Sequence, residues 1–167
     1  MRNIETSQMI QDQRPLQGRV GKTGNMCKNG CGIVAIYNAE TILGNPFVSW
    51  QNIQKIINRH PLRNTVFGGV LGIGPWAIKR YFRKRGFRVK WSRLKGVSPD
   101  ADAYIVWHLW INPKGKVKIG AHYQAAYRDD NGRVVFTNYP SRHEDFNCFY
   151  RSNKGIVFAC VLEIYAT

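Results

Sequence analysis

Cys31 sits between two glycines in Asn29-Gly30-Cys31-Gly32, directly ahead of the apolar run Ile33-Val34-Ala35-Ile36. The pattern predicts a helix that opens on a thiol. A helix N-terminus presents unpaired backbone N–H groups and a partial positive charge, both of which favour thiolate over thiol. Gly30 and Gly32 leave room for a substrate backbone to approach. A thiol nucleophile needs a base to take its proton and return it to the leaving group, and that base needs a third group to fix its tautomer. Downstream, Gly120-Ala121-His122-Tyr123 and Phe136-Thr137-Asn138-Tyr139-Pro140 supply an imidazole and a side-chain amide. Taken singly, each has a plain structural meaning: a core cysteine, a half-buried strand histidine, an asparagine closing a strand. Their joint presence favours a Cys-His-Asn arrangement.

The two downstream segments flank Asp129-Asp130-Asn131-Gly132, a strong hairpin turn signal. With Asp130-Asn131-Gly132 as the loop and Gly132 left-handed, Asp129 faces Arg133 and Asn138 faces Gln124. His122 is then diagonal to Asn138 on one sheet face, about 7–8 Å between the two backbones. A two-residue loop would reverse that parity.

Asn25 six positions before Cys31-Gly32, then Ala35 and Asn38, His122-Tyr123 and Asn138-Tyr139-Pro140, together resemble a papain-like cysteine peptidase of the bacteriocin-leader-processing, double-glycine type. The resemblance spans residues 25 to 166. It implies a minimal papain-like α+β fold, with an N-terminal helical lobe carrying the nucleophile helix packed on a C-terminal antiparallel sheet. It also implies that Cys31 is the nucleophile, His122 the base and Asn138 the orienting residue. The family's oxyanion glutamine stands six residues before the cysteine; that position is Asn25 here, the same amide with one methylene fewer. The backbone N–H of Cys31 is the second implied donor. Asn138 stands where aspartate is frequent in this group.

Among the supporting elements, periodicity and caps predict helices over 31–43, 50–59 and 75–85. Gly44-Asn45-Pro46 stops the first, Ser49 caps the second and Pro75 starts the third. Strands are expected over 87–93, 103–111, 117–128, 133–138 and 155–166, with a helical turn near 143–150. Gly68-Gly69-Val70-Leu71-Gly72-Ile73-Gly74 lacks the Gly-Lys-Ser/Thr ending of a phosphate loop and reads as a flexible rim beside the cleft. Residues 1–24, poor in large apolar side chains, read as an arm or lead-in to a single domain over 25–167. Neither a membrane span nor a signal peptide is visible, which points to a cytoplasmic protein or a soluble domain of a larger one.

The chain has 167 residues and carries a net charge of +15. That excess raises a second class of function, polyanion binding. On a helix, Arg80, Arg83 and Lys84 share one face while Tyr81 and Phe82 turn inward. Such a face grips phosphate or is simply solvated, and no established nucleic-acid module is present. For a peptidase, the same charge would steer an acidic peptide or protein substrate. The four cysteines, Cys27, Cys31, Cys148 and Cys160, are irregularly spaced and read as reduced thiols. Cys27 and Cys31 with His108 and His122 lack the second compact pair of a zinc site, so no metal or cofactor is expected. Acyl transfer to an amine and a non-catalytic basic binding module remain the alternatives to peptide hydrolysis.

Overall fold

The computed structural model describes residues 8–45, 48–112 and 118–167. Pro46, residue 117 and the first seven residues of the lead-in, about which the sequence carried expectations, lie outside them. In chain order the elements are β1 (Arg19–Val20), β2 (Gly24–Asn25), α1 (Met26–Asn29), α2 (Cys31–Ile42), α3 (Trp50–Asn58), α4 (Pro61–Asn64), α5 (Pro75–Lys84), β3 (Arg88–Arg93), β4 (Ala103–Asn112), β5 (Lys118–Arg128), β6 (Val134–Phe136), β7 (Ser141–His143), α6 (Phe146–Ser152) and β8 (Ile156–Tyr165). Helices gather in the first half. The second half forms a six-stranded antiparallel sheet in the order β3-β8-β4-β5-β6-β7. The fold is α+β.

α2 is the buried axis. All of its residues except Tyr37 are buried, as a helix that is apolar nearly all round requires. It packs on the sheet face that carries Ile105, Tyr123, Ala125 and Leu162, and α3 and α5 complete this main core through Ile53, Ile57, Ile78 and Phe82. Glu40 is also on α2 and fully buried, where Arg85 meets it at 2.6 Å. Ser49 caps α3 by accepting from Asn52 N–H, and Pro75 opens α5, as their positions predicted. A second, smaller core lies on the opposite sheet face, where Tyr104, Phe136, Phe146 and Phe149 pack under α6.

The β5–β6 hairpin has the predicted loop. Asp129 N–H donates to Arg133 O at 2.9 Å, and Gly132 takes φ +74°. The ladder pairs Ala126 with Phe136, which puts Gln124 opposite Asn138. β6 ends at Phe136, sooner than expected, because the chain turns away at Tyr139, whose φ is +55°.

The lead-in is irregular but packed. Met9, Gln13 and Val20 are buried, Ile10 N–H donates to Asn38 Oδ1, and Tyr139 N–H donates to Gln11 O. Residues 8–13 therefore lie across the joint between α2 and the β6 end, and Arg19 and Gly21 are bonded to Gln54 and Asn58 of α3. The glycine-rich rim is anchored as well: Gly68 O accepts from Lys22 and Thr23 N–H, and Asn29 Nδ2 donates to Val70 O at 2.6 Å. Among the described residues no helix is long and apolar enough to cross a membrane.

Candidate active site

Cys31 is the first residue of α2, with Gly30 as its N-cap. Its thiol is buried and faces the backbone N–H groups of Tyr123, Gly32 and Cys31 itself. Each N–H favours the thiolate, yet burial outweighs all three and pushes the thiol up to about 11. Ala125 N–H and C=O point off the β6 side of β5, toward Asn138 Oδ1 and Thr137 N–H. Tyr123, two residues earlier, points the same way, so Cys31 lies against the edge of β5 that β6 leaves uncovered.

His122 is the next residue along that strand, and alternation turns its ring to the other face. Tyr123 and Ala125 enter the main core, whereas His122 and Gln124 line an open cavity beyond the sheet. The His122 ring centroid is 5.6 Å from His108, its cross-strand partner, and 5.9 Å from Tyr139. Burial lowers His122 to about 4, and burial with the neighbouring His122 does the same to His108. Nε2 of His122 is buried without a partner. No hydrogen bond joins His122 to Cys31 or to Asn138 among the described residues.

Asn138 is buried in an amide cluster. Its Oδ1 accepts from Asn38 Nδ2 at 3.1 Å, Thr137 Oγ1 at 3.1 Å and Ala125 N–H at 3.4 Å. Its backbone O accepts from Gln124 Nε2 at 2.7 Å. Asn38 also takes in the lead-in, donating to Ile10 O and accepting from Ile10 N–H. The cluster therefore ties α2, the lead-in and the β5–β6 corner together at Asn38, about two turns along α2 from Cys31.

Asn25 is the N-cap of α1, where its Oδ1 accepts from Lys28 N–H at 2.9 Å. Its Nδ2 makes no hydrogen bond among the described residues. Gly30 and Gly32 are both buried, and the room expected beside them for a substrate is taken by the protein itself: a Cβ would meet Met26 O at 2.5 Å on Gly30 and Ile73 Cγ1 on Gly32. The expected basic face is divided. Arg80 donates to Asn64 Oδ1 at 2.7 Å, while Arg83 and Lys84 are exposed and Tyr81 and Phe82 are buried. Lys79, Arg83 and Arg88 line a separate cleft of about 370 Å³.

The cysteines are free, and no group of three or more His, Cys, Asp or Glu among the described residues could hold a metal ion. Gln13 beside His122 escaped the sequence reading, His108 was weighed there only as a zinc ligand, and Tyr139 only as part of the Asn138-Tyr139-Pro140 motif. His108 had a signal, since Tyr104, Val106 and His108 alternate on one face of a strand. Gln13 had none, because its position depends on where the lead-in crosses the domain.

No family model matches the chain, and no curated protein matches it. Among solved structures it is similar to the peptidase domain of Streptococcus ComA, a bi-functional ABC transporter involved in a quorum-sensing pathway. The two are 14% identical over 81% of this chain and 91% of that chain, with a TM-score of 0.47. A likeness at that level carries nothing about activity.

Proposed function

We propose that the chain is a papain-like cysteine peptidase that cleaves a peptide bond through an acyl-enzyme on Cys31. The observation that supports this most is the position of the thiol: at the start of a buried helix, facing three N–H groups, one residue along β5 from an imidazole with a free nitrogen. At rest the pair is neutral and uncoupled. In the reaction the His122 ring turns around the open edge of β5 toward Sγ and takes the thiol proton as the S–C bond forms at the substrate carbonyl. The imidazolium then protonates the leaving nitrogen as the C–N bond breaks. Water, deprotonated by His122, releases the acid from the thioester.

The tetrahedral oxygen is held by the Cys31 N–H and by Asn25 Nδ2, which α1 capping leaves unused. In the turned state Asn138 Oδ1 orients His122. That role requires Oδ1 to release one of its three donors, and Thr137 is the one with an alternative, because its hydroxyl also lies 3.2 Å from Ala125 O. Gly30 and Gly32 let Met26 and Ile73 close on the start of α2, which holds Cys31 in place. The positive surface around Arg83 and Lys84 favours an acidic peptide by steering.

An activated ester tests the chemistry without a known peptide. With p-nitrophenyl acetate, one acetyl group per chain should appear on Cys31 by peptide mass spectrometry. Cys31→Ala should abolish this acetylation, and His122→Ala should slow it by roughly 10²–10⁴-fold. Acetylation spread over several cysteines, or undiminished in His122→Ala, would count against the mechanism.

A further inference from the structure

On the far face of the sheet from α2, beside His122, lies an open cavity of about 860 Å³. Three polar atoms of its lining residues are buried without partners: Gln13 Oε1, His108 Nδ1 and His122 Nε2. Gln13 and His108 are only 8% and 7% exposed, so these atoms need a partner that enters the cavity. Gln13 spends its Nε2 on Cys27 O at 3.1 Å, which leaves Oε1 able only to accept. It calls for an N–H. Each imidazole can offer one N–H. Among the described residues no aspartate or glutamate lines the cavity, and Lys154 is the one lining residue that carries a full charge. Trp110, Phe149 and Ile156 make its apolar walls. The complementary ligand has an amide N–H, a large apolar side chain and a negative charge.

We infer that this cavity holds the leaving half of the substrate, a C-terminal residue with an aromatic or large aliphatic side chain and a free α-carboxylate. The inference rests on the proposed reaction, in which His122 returns its proton to the departing nitrogen. The departing nitrogen meets the His122 ring at the β5 edge, and the half attached to it extends from there into the cavity in which that ring rests, whereas Cys31, which does not line the cavity, keeps the acyl half. The substrate N–H meets Gln13 Oε1, the side chain lies against Trp110 and Phe149, and the carboxylate faces Lys154. The enzyme then trims the ends of chains in preference to cutting within them.

Binding of N-acetyl-L-phenylalanine and of its amide to Cys31→Ala, followed by calorimetry, tests this without turnover, and the wild type serves as a check on folding. The free acid should bind about ten-fold tighter than the amide, and Lys154→Met should erase that difference. Gln13→Leu should weaken both ligands by a similar factor. Equal binding of acid and amide, or no saturation by the acid up to the order of 10 mM, overturns the inference. The two readings fail separately. Acetylation of Cys31 together with equal binding removes the cavity assignment alone. Preference for the acid without acetylation removes the leaving-group role and leaves a carboxylate site.

Discussion

The resting thiol is the sharpest point of contact between the structure and a solution measurement. Cys31 stands at about 11 against an ordinary 9.0, because burial outweighs the three N–H groups that face it. At pH 7 about one molecule in ten thousand then carries a thiolate, roughly a hundred-fold fewer than for an unperturbed thiol. His122 does not rescue this. With the thiol at about 11 and the imidazole at about 4, moving the proton between them costs on the order of 10 kcal/mol, so a resting thiolate–imidazolium pair is negligibly populated. Alkylation of Cys31 by iodoacetamide, followed peptide by peptide with mass spectrometry, should rise about ten-fold per pH unit from pH 7 to 10. Its half-maximal rate should lie near 11, and that midpoint should be unchanged in His122→Ala. A half-maximal rate below about pH 8 that is lost in His122→Ala would mean the two side chains are already paired at rest. The description of His122 as turned toward the cavity would then be wrong.

Acid should destabilise the fold through the two facing histidines. His108 and His122 stand at about 4, below the 6.5 of an unfolded histidine, so the unfolded chain binds more protons between those values. Stability is fully present above about pH 6.5 and falls toward pH 4, each ring withdrawing up to about 3 kcal/mol; urea titrations at both ends should show this, and His108→Phe should flatten the dependence. Arg85→Ala strands the fully buried Glu40 carboxylate. Because Arg85 is itself 38% exposed, the loss should sit near the low end for a buried pair, about 3 kcal/mol by denaturant unfolding, and adding Glu40→Gln should recover part of it. Asn38→Leu removes one of the three donors to Asn138 Oδ1 and leaves the Ile10 N–H and C=O unpaired, for an expected loss of about 2–4 kcal/mol. An unchanged melting curve for Asn38→Leu would show that water replaces these bonds.

The elements were legible because their signals are local. α2, α3 and α5 match the predicted helices to within one or two residues, since Ser49, Pro75 and the apolar spacing act over a single turn. The hairpin register was legible for the same reason: Asp129 to Gly132 fix the loop, and the loop places Asn138 opposite Gln124. The placement of the candidate side chains was less so, because it depends on partners distant in sequence. Asn138 has the expected backbone position, yet its side chain is drawn to Asn38, which lies a hundred residues away on α2. Gln13 reaches the cavity only because the lead-in packs across the β6 corner, against the expectation of a loose arm. His122 shows the limit most plainly. Strand alternation gave it the same face as Gln124, as found, but that face carries the cavity, while Cys31 meets the strand at its edge. A nucleophile at an edge and a base on a face are joined by a side-chain rotation that no register can specify. That rotation decides whether Cys31 is a catalyst or a buried thiol at the start of a core helix.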